Sequence, residues 1–238
     1  SPMSVYRFKK AAVLGAGVMG AQIAAHLANA GVPVVLFDLP ADGKDKNAIV
    51  NKALANLGKL SPSPLASKAL VNNIQAGNYD EHLALLADCD VIIEAIAERL
   101  DWKKSLYAKI LPFVGPKAIL ASNTSGLSIN ALSEVLDESL HHRFCGLHFF
   151  NPPRYMHLVE LIPCASTDTD VLVSLETFLV STLGKGVVYA KDTPNFIGNR
   201  IGVFSILSIL HHTEQFRMGF DEVDALTGPL IGRPKSAT

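Results

Sequence analysis

The sequence has few cysteines and almost no net charge. Three cysteines occur in 238 residues, Cys89, Cys145 and Cys164, and no two of them have C-x-x-C spacing. Isolated cysteines in apolar surroundings predict reduced core thiols and argue against a disulfide framework or a metal site. The formal net charge is −1, so we expect no general electrostatic attraction to nucleic acid or to an anionic membrane.

Long apolar runs and a targeting pattern are also missing from the sequence. The most apolar stretch, residues 201–210, is interrupted by Gly and Ser and is too short to span a bilayer. Residues 1–3 do not begin a charged region followed by a long apolar run, so we expect no signal peptide. With hydrophobic residues at 49% of the chain, the composition predicts a cytoplasmic globular protein with a large core.

A glycine-rich turn lies between a predicted strand and a predicted helix near the start of the chain. Residues 11–14 are small and apolar, and residues 21–30 are rich in good helix formers. Gly15 permits the tight turn, Gly17 lets a pyrophosphate approach the backbone, and Gly20 lets the helix pack closely. The N-terminus of that helix offers unpaired N–H groups to phosphates.

Asp38 follows the second predicted strand, residues 32–37, at the distance expected in a dinucleotide-binding unit. A carboxylate there accepts hydrogen bonds from an adenosine ribose and repels a 2′-phosphate, which favours NAD over NADP. The alternative is an ordinary strand–helix turn whose Asp caps a helix. The combined pattern predicts an NAD site at Gly15, Gly17, Val18, Met19, Gly20 and Asp38.

Predicted strands and helices alternate along most of the chain. This alternation predicts an α/β fold with a doubly wound, mostly parallel Rossmann-type sheet and a short, incomplete all-α C-terminal domain. In such sheets the site lies beyond the carboxyl ends of the strands. The polar residues that follow predicted strands are therefore candidates for the site: Glu94, Glu98, Ser122 to Ser125, His148 and Asn151.

Two regions lie outside this regular alternation. After Asp38, residues 48–60 and 65–71 predict a helical hairpin with a basic face, which is either a solvated charged surface or a contact for a phosphorylated substrate. At the other end we expect a domain boundary near Lys191, which divides the NAD-binding domain (residues 1–191) from a partial helical C-terminal domain (residues 192–238).

The C-terminal domain is predicted to begin with an apolar helix from Phe196 to His212. A helix that is apolar nearly all round must be covered by other elements. We therefore expect a homodimer or another association through this helix, and no nucleic-acid or membrane partner.

His148 ends an apolar predicted strand, between Leu147 and Phe149. A histidine in such a place is commonly a satisfied core residue, but Glu160 occupies an apolar position in the next predicted strand. Burying a carboxylate is costly unless it is paired, and an imidazole is a natural partner because the carboxylate fixes its tautomer. The two residues are therefore predicted to form a general base.

Such a base suits the oxidation of an alcohol, in which a proton leaves the hydroxyl while a hydride leaves the carbon for a nicotinamide. The ordinary pKa of histidine, about 6.5, lies near working pH. Ser125 and Asn199 are neutral donors that can hold the substrate oxygen. Because Ser125 lies in no G-x-S-x-G turn, a hydrolase is not indicated.

At these positions the chain resembles the L-3-hydroxyacyl-CoA dehydrogenases of fatty-acid β-oxidation, from Lys10 to about Arg233. The order of the matching motifs is far more specific than the glycine turn alone. They are residues 15–20, 94–98 (E-A-I-A-E), 122–125 (S-N-T-S), 148–152 (H-F-F-N-P), 158–160 (L-V-E) and 192–200 (D-T-P-N-F-I-G-N-R).

The resemblance implies a role for each matching position. His148 matches the catalytic histidine and Glu160 its acidic partner, while Ser125 and Asn199 match residues around the substrate oxygen. The basic hairpin matches a region that helps to bind the coenzyme A part of an acyl-CoA substrate, with Lys59 and Lys68 as its candidates. Besides the glycines and Asp38, the implied dinucleotide contacts are Glu98, Lys103, Ser125 and Asn151.

Two other functions stay open on the sequence alone. The same fold could oxidise a free hydroxy acid or sugar acid, or the chain could bind a dinucleotide without turnover. Residues 195–200 and 227–235 look more like bacterial fused hydratase–dehydrogenase proteins, in which case the chain is one portion of a longer polypeptide. Gly126 and Gly198 depart from single-function members, where a serine and a larger apolar residue are frequent.

Overall fold

The computed structural model describes residues 8–192 and 201–203, which contain one nine-stranded sheet. The strands are β1 (Ala11–Leu14), β2 (Val34–Asp38), β3 (Ile74–Asn78), β4 (Val91–Glu94), β5 (Ile119–Ser122), β6 (Phe144–Phe149), β7 (Leu158–Pro163), β8 (Gly186–Ala190) and β9 (Ile201–Val203). The α-helices are α1 (Val18–Asn29), α2 (Ala48–Leu57), α3 (Leu100–Ile110), α4 (Ile129–Val135) and α5 (Thr169–Ser181). Short 3-10 helices cover Lys68–Asn73, Leu83–Asp88, Leu111–Phe113 and Glu138–Arg143.

The strand order is β3-β2-β1-β4-β5-β6-β7-β8-β9, and strands β1 to β6 run parallel. β7 pairs antiparallel with β6 and parallel with β8, and β9 pairs antiparallel with β8. This arrangement confirms the predicted doubly wound, mostly parallel Rossmann-type sheet. The chain runs outward from β1 to β3 and returns at β4 on the other side of β1, so a crevice opens beyond the carboxyl ends of β1 and β4.

The sheet is covered on both faces by separate apolar clusters. Along β1, Ala11 and Val13 face the cluster that includes α1 and α5, whereas Ala12 and Leu14 face the cluster that includes α3 and α4. All four side chains are fully buried. Burial on both faces explains why the parallel strands are continuous apolar runs in the sequence rather than alternating patterns.

The helical hairpin predicted after β2 is present, but the bounds and the type of its second segment differ from the prediction. α2 ends at Leu57, and the second segment is a 3-10 helix that begins at Lys68, three residues later than predicted. Asn29 at the end of α1 holds the connection, because its side chain donates to Pro64 O at 2.8 Å and accepts from Ala66 N at 2.8 Å. The hairpin is thereby fixed against the helix that follows the glycine turn.

The predicted helix from Phe196 to His212 is wrong at residues 201–203, which form β9. Continuous apolar character cannot distinguish a buried helix from a buried strand. Here Ile201 and Val203 are β-branched, and β9 pairs with the otherwise open edge of β8, where backbone groups need partners. The rest of that predicted helix lies outside the described residues, as does the association expected through it.

Membrane-spanning helices, metal sites and disulfides were considered among the residues that the structure describes. None of the helices within the described residues is long and apolar enough to cross a membrane. The same residues contain no cluster of three or more His, Cys, Asp or Glu side chains that could hold a metal ion. All three cysteines are buried free thiols.

One buried acid on α5 makes stability depend on pH. Glu176 is fully buried, and its carboxyl oxygens accept no hydrogen bond from the residues that the structure describes. Burial raises the pKa of Glu176 to about 8 from its ordinary 4.5. Between these values the folded protein binds a proton that the unfolded chain releases, so this group lowers the free energy of unfolding as pH rises from 4.5 to 8.

We therefore expect Glu176→Gln to stabilise the protein at pH 8 by on the order of 2–3 kcal/mol and to have little effect near pH 4.5. Urea unfolding at several pH values measures this difference. Glu134→Gln on α4, an exposed position, is the matched control and should leave the pH dependence unchanged. Equal effects of Glu176→Gln at both pH values would contradict the expectation.

Candidate functional site

The glycine turn brings β1, α1 and the end of β4 into close contact. Gly15 has φ +107°, and a Cβ there would lie 2.6 Å from Ala95 O. A Cβ at Gly20 would lie 1.7 Å from Gly15 O, so only glycine fits at either position. Gly17 differs, because a Cβ there would meet nothing within 4 Å. Its backbone is therefore open to the crevice, as expected of a phosphate contact.

Asp38 closes the turn from the end of β2. Its Oδ2 accepts a hydrogen bond from Ala16 N at 2.7 Å, and its Oδ1 accepts one from Leu39 N at 2.6 Å. The carboxylate also lines a cavity of about 580 Å³ together with Gly15 and Gly17. A mostly apolar cavity with one carboxylate beside the glycine turn suits the adenosine part of a dinucleotide.

Sequence reasoning missed several residues that line this cavity, among them Tyr79, Trp102 and Lys109. Trp102 is half exposed, and the Arg99 guanidinium lies 4.3 Å from the centre of its ring. Tyr79 comes directly after β3, so the rule that sites lie beyond strand ends could have found it. Trp102 and Lys109 lie on α3, and the local sequence gives no signal for them.

A second cavity, of about 500 Å³, separates the start of α1 from α2. Gly17 and Val18 line one side, and Lys52 and Lys59 line the other. The structure thus brings the predicted Lys59 close to the glycine turn. Lys68 is exposed at the start of its 3-10 helix and is not part of the lining.

Glu98, in the loop after β4, holds the loop that follows β5. It accepts hydrogen bonds from Thr124 Oγ1 at 2.6 Å and Ser125 N at 2.7 Å, with a longer contact from Ser125 Oγ at 3.4 Å. Burial opposes the charge of Glu98, but these hydrogen bonds and the nearby Lys103 outweigh it and hold the pKa of Glu98 below its usual value. Ser125 is half-buried at the strand ends, where it was predicted.

Lys103, an implied dinucleotide contact, has a buried side chain at the start of α3. Its side chain is 1% exposed, and its Nζ donates to Glu94 Oε2 at 2.5 Å and to Ile96 O at 3.3 Å. The ammonium is therefore occupied in the protein interior. It lies between two carboxylates, 2.5 Å from Glu94 Oε2 and 3.6 Å from Glu98 Oε2, and its contact with the dinucleotide stays a prediction.

His148 and Glu160 occupy directly opposite positions on the antiparallel strands β6 and β7. The distance between His148 Nδ1 and Glu160 Oε1 is 3.9 Å, and Glu160 is fully buried. The predicted pair is thus brought together by strand register. His148 also lies edge-on to Phe150, with 4.8 Å between the ring centres.

The pair lies on the same edge of the sheet as the glycine turn. Registers between neighbouring strands align Leu14 with Glu94 and Glu94 with Ser122, at the carboxyl ends of β1, β4 and β5. Asn123 Oδ1 then accepts from Phe149 N at 2.8 Å, which joins the loop after β5 to the strand of His148.

Asn151 extends the site towards α1. Its Oδ1 lies 3.4 Å from Gln22 Nε2 on the first turns of that helix. The structure thus brings Asn151 close to the first turns of α1, and its contact with the dinucleotide stays a prediction. Asn199, the second predicted contact of the substrate oxygen, lies outside the described residues.

The chain was compared with known proteins. Residues 10–193 match the family described as 3-hydroxyacyl-CoA dehydrogenase, NAD binding domain. A protein of Deinococcus radiodurans named probable 3-hydroxyacyl-CoA dehydrogenase is 45% identical over 233 residues, which are 98% of this chain and 67% of that protein. A Rickettsia felis protein, provisionally named a fatty acid oxidation complex trifunctional enzyme, is 43% identical over 96% of this chain and 32% of its own length.

Solved structures agree with these similarities. The structure of 3-hydroxybutyryl-CoA dehydrogenase from Escherichia coli K12 superposes with a TM-score of 0.67 at 30% identity, covering 89% of this chain and 43% of that one. The chain thus spans two thirds of the Deinococcus relative and about a third of the Rickettsia relative. With a family match that extends from the glycine turn to the end of β8, this chain belongs to the 3-hydroxyacyl-CoA dehydrogenase family and contains its NAD-binding domain.

Proposed function

We propose that the protein oxidises an L-3-hydroxyacyl-CoA to the 3-ketoacyl-CoA with NAD, as a step of fatty-acid β-oxidation. The observation that carries the proposal is the pairing of His148 with the buried Glu160 on the edge of the sheet that also holds the glycine turn. A base and a dinucleotide cradle on one edge are what alcohol oxidation by hydride transfer needs.

In this mechanism His148 removes the proton of the substrate hydroxyl. The Glu160 carboxylate fixes the imidazole tautomer and stabilises the imidazolium that forms. Bound NAD supplies the acceptor for the hydride that leaves the same carbon, so one proton goes to the protein and two electrons leave with the hydride. Ser125 is held by Glu98 through its backbone N–H, and its hydroxyl turns from the long contact with Glu98 to donate to the substrate oxygen. Asn199 is proposed as the second donor.

The same edge offers the cofactor contacts. The backbone N–H groups of Val18, Met19 and Gly20 begin α1, where partial positive charge favours a pyrophosphate. Asp38 accepts from the adenosine ribose, and Asn151, which lies 3.4 Å from Gln22 on α1, is proposed as a further dinucleotide contact. These residues fit NAD because Gly17 leaves the backbone open to a pyrophosphate and the acid disfavours a 2′-phosphate.

The cavity between α1 and α2 is proposed to take part of the coenzyme A moiety. Lys52 and Lys59 line it, and their charge complements the phosphates of an acyl-CoA. Lys68, exposed at the start of its 3-10 helix, is proposed as a further contact for these phosphates. We also propose the domain boundary near Lys191, with residues 1–191 as the NAD-binding domain and residues from 192 onward as a C-terminal domain through which two copies associate.

The first prediction about activity tests the proposed base, His148. We expect His148→Gln to lower kcat for acetoacetyl-CoA reduction by NADH by about 10²–10⁴-fold, because the proton-transfer group is removed. NADH affinity, measured by calorimetry, should stay unchanged. His142→Gln, an exposed position before β6, is the matched control. Near-normal rates in His148→Gln would remove this residue from its role, and turnover of free hydroxy acids alone would favour the other substrate class.

The second prediction tests the adenosine cavity. We expect Trp102→Ala to weaken NADH binding about tenfold, because stacking of a base on an aromatic ring contributes on the order of 1–3 kcal/mol. Trp102→Phe should retain most of the affinity. Since Trp102 is the single tryptophan of the chain, NADH should also quench its emission by energy transfer in the unmodified protein. Unchanged emission at saturating NADH would place the cofactor elsewhere.

The third prediction tests the second cavity. Lys59→Met should raise KM for acetoacetyl-CoA roughly fivefold through loss of a charged hydrogen bond to phosphate, and leave KM for NADH unchanged. Steady-state kinetics with each substrate varied measures both. Lys117→Met is the control, because Lys117 is exposed before β5 at the opposite edge of the sheet. A rise in KM for NADH instead would assign the cavity to the dinucleotide.

A further inference from the structure

A fully buried carboxylate lies directly beneath the candidate site. Glu94, at the carboxyl end of β4, accepts four hydrogen bonds. The donors are Lys103 Nζ at 2.5 Å, Tyr107 Oη at 2.6 Å, Ser122 Oγ at 2.8 Å and Ile96 N at 2.9 Å. The donors belong to α3, to β5 and to the loop after β4. Because each carboxyl oxygen accepts two of these hydrogen bonds, the Glu94 side chain is held in a single orientation.

Lys103 lies between this carboxylate and a second one. Its Nζ is 2.5 Å from Glu94 Oε2 and 3.6 Å from Glu98 Oε2. The Glu94 side chain is fully buried, whereas the Glu98 side chain is 41% exposed. The Lys103 ammonium therefore does not move towards solvent, because separation from Glu94 would leave a buried carboxylate without its cation.

Glu98 in turn determines the position of the loop that follows β5. Four groups of that loop donate to it: Thr124 Oγ1, the Ser125 hydroxyl, and the backbone N–H groups of Ser125 and Gly126. These bonds require Glu98 to act as an acceptor at both oxygens. A protonated Glu98 would lose part of this acceptor capacity and release the loop.

We propose that Glu94 and Lys103 are positioning residues: Glu94 fixes the Lys103 ammonium, and the ammonium holds Glu98 as the carboxylate that orients Ser125. The inference rests on the proposed role of Ser125 at the substrate oxygen. It gives Lys103 a role through Glu98, in addition to the dinucleotide contact that the resemblance implies.

The charges around Glu98 determine the direction of the effect. The titratable groups that face it are Lys103 and Tyr107 of α3 and Glu94 of β4, while the loop after β5 contributes a neutral hydroxyl and backbone amides. Lys103 is the cation of this set. Its removal leaves Glu98 with hydrogen bonds but without the opposite charge, so the carboxyl takes up a proton at a higher pH.

The experiment follows the amide resonances of Ser125 and Gly126 by NMR as a function of pH. The test variant is the double substitution Glu94→Gln with Lys103→Met, which removes both buried charges together and leaves neither unpaired. We expect the titration midpoint reported by these amides to rise by about one pH unit or more relative to the unmodified protein. Lys104→Met, at the exposed neighbouring position of α3, should leave the midpoint unchanged.

A midpoint that does not move in the folded double variant would overturn the proposal, because a merely structural pair would change stability and not this titration. The unmodified protein provides an independent check if the variant does not fold. There the ¹⁵Nζ resonance of Lys103 should titrate with the same midpoint as the Ser125 amide. Different midpoints would show that the ammonium does not sense Glu98 and would equally overturn the proposal.

The test is separate from the proposed activity, since the amide titration needs no substrate. Where the unmodified enzyme reduces acetoacetyl-CoA, we also expect kcat of the double variant to fall about tenfold, with KM for NADH unchanged. A shifted midpoint without any turnover in the unmodified protein would leave the positioning pair in place and contradict the proposed function alone.

Discussion

The contact between the glycine turn and the end of β4 determines where a dinucleotide can bind. Gly20 lies against the carbonyl of Gly15, and Gly15 lies against that of Ala95, so that no side chain fits at either position. This contact holds the N-terminus of α1 at the point where the strand order reverses. The unpaired N–H groups and the positive end of the helix dipole therefore face the crevice, and Asp38 and the cavity beside it follow from that placement.

Strand register then brings the chemistry to the same edge. Had β7 been parallel to β6, residues twelve positions apart would not face each other after so short a connection. The antiparallel pairing instead places His148 directly opposite Glu160. A slip of one residue would turn Glu160 to the other face of the sheet, so the pair depends on the same register that buries the apolar side chains beside it.

The sequence was sufficient for those parts of the fold and site that depend on local pattern. Parallel strands buried on both faces leave continuous apolar runs, and Gly15 to Gly20 and Asp38 lie at fixed spacing around two of them. The position of Lys103 could not be predicted in this way, because an exposed and a buried lysine on a helix look alike until the partner, Glu94, is known. The strand at Ile201–Val203 depends on the open edge of β8, which no local pattern reveals.

Three buried acids illustrate why charge is the hardest property to infer from a chain alone. Glu94 is buried with Lys103 and three further donors, Glu160 faces a histidine, and burial raises the pKa of Glu176 on α5. Each acid lies in an apolar segment of the sequence, so the local patterns are alike. Their chemical states differ because a carboxylate in the interior takes the form that its neighbours stabilise. The same residue type can therefore serve as a hydrogen-bond acceptor at Glu94 and as the partner of a histidine at Glu160. The tertiary contacts of each carboxyl group determine which of these roles it has.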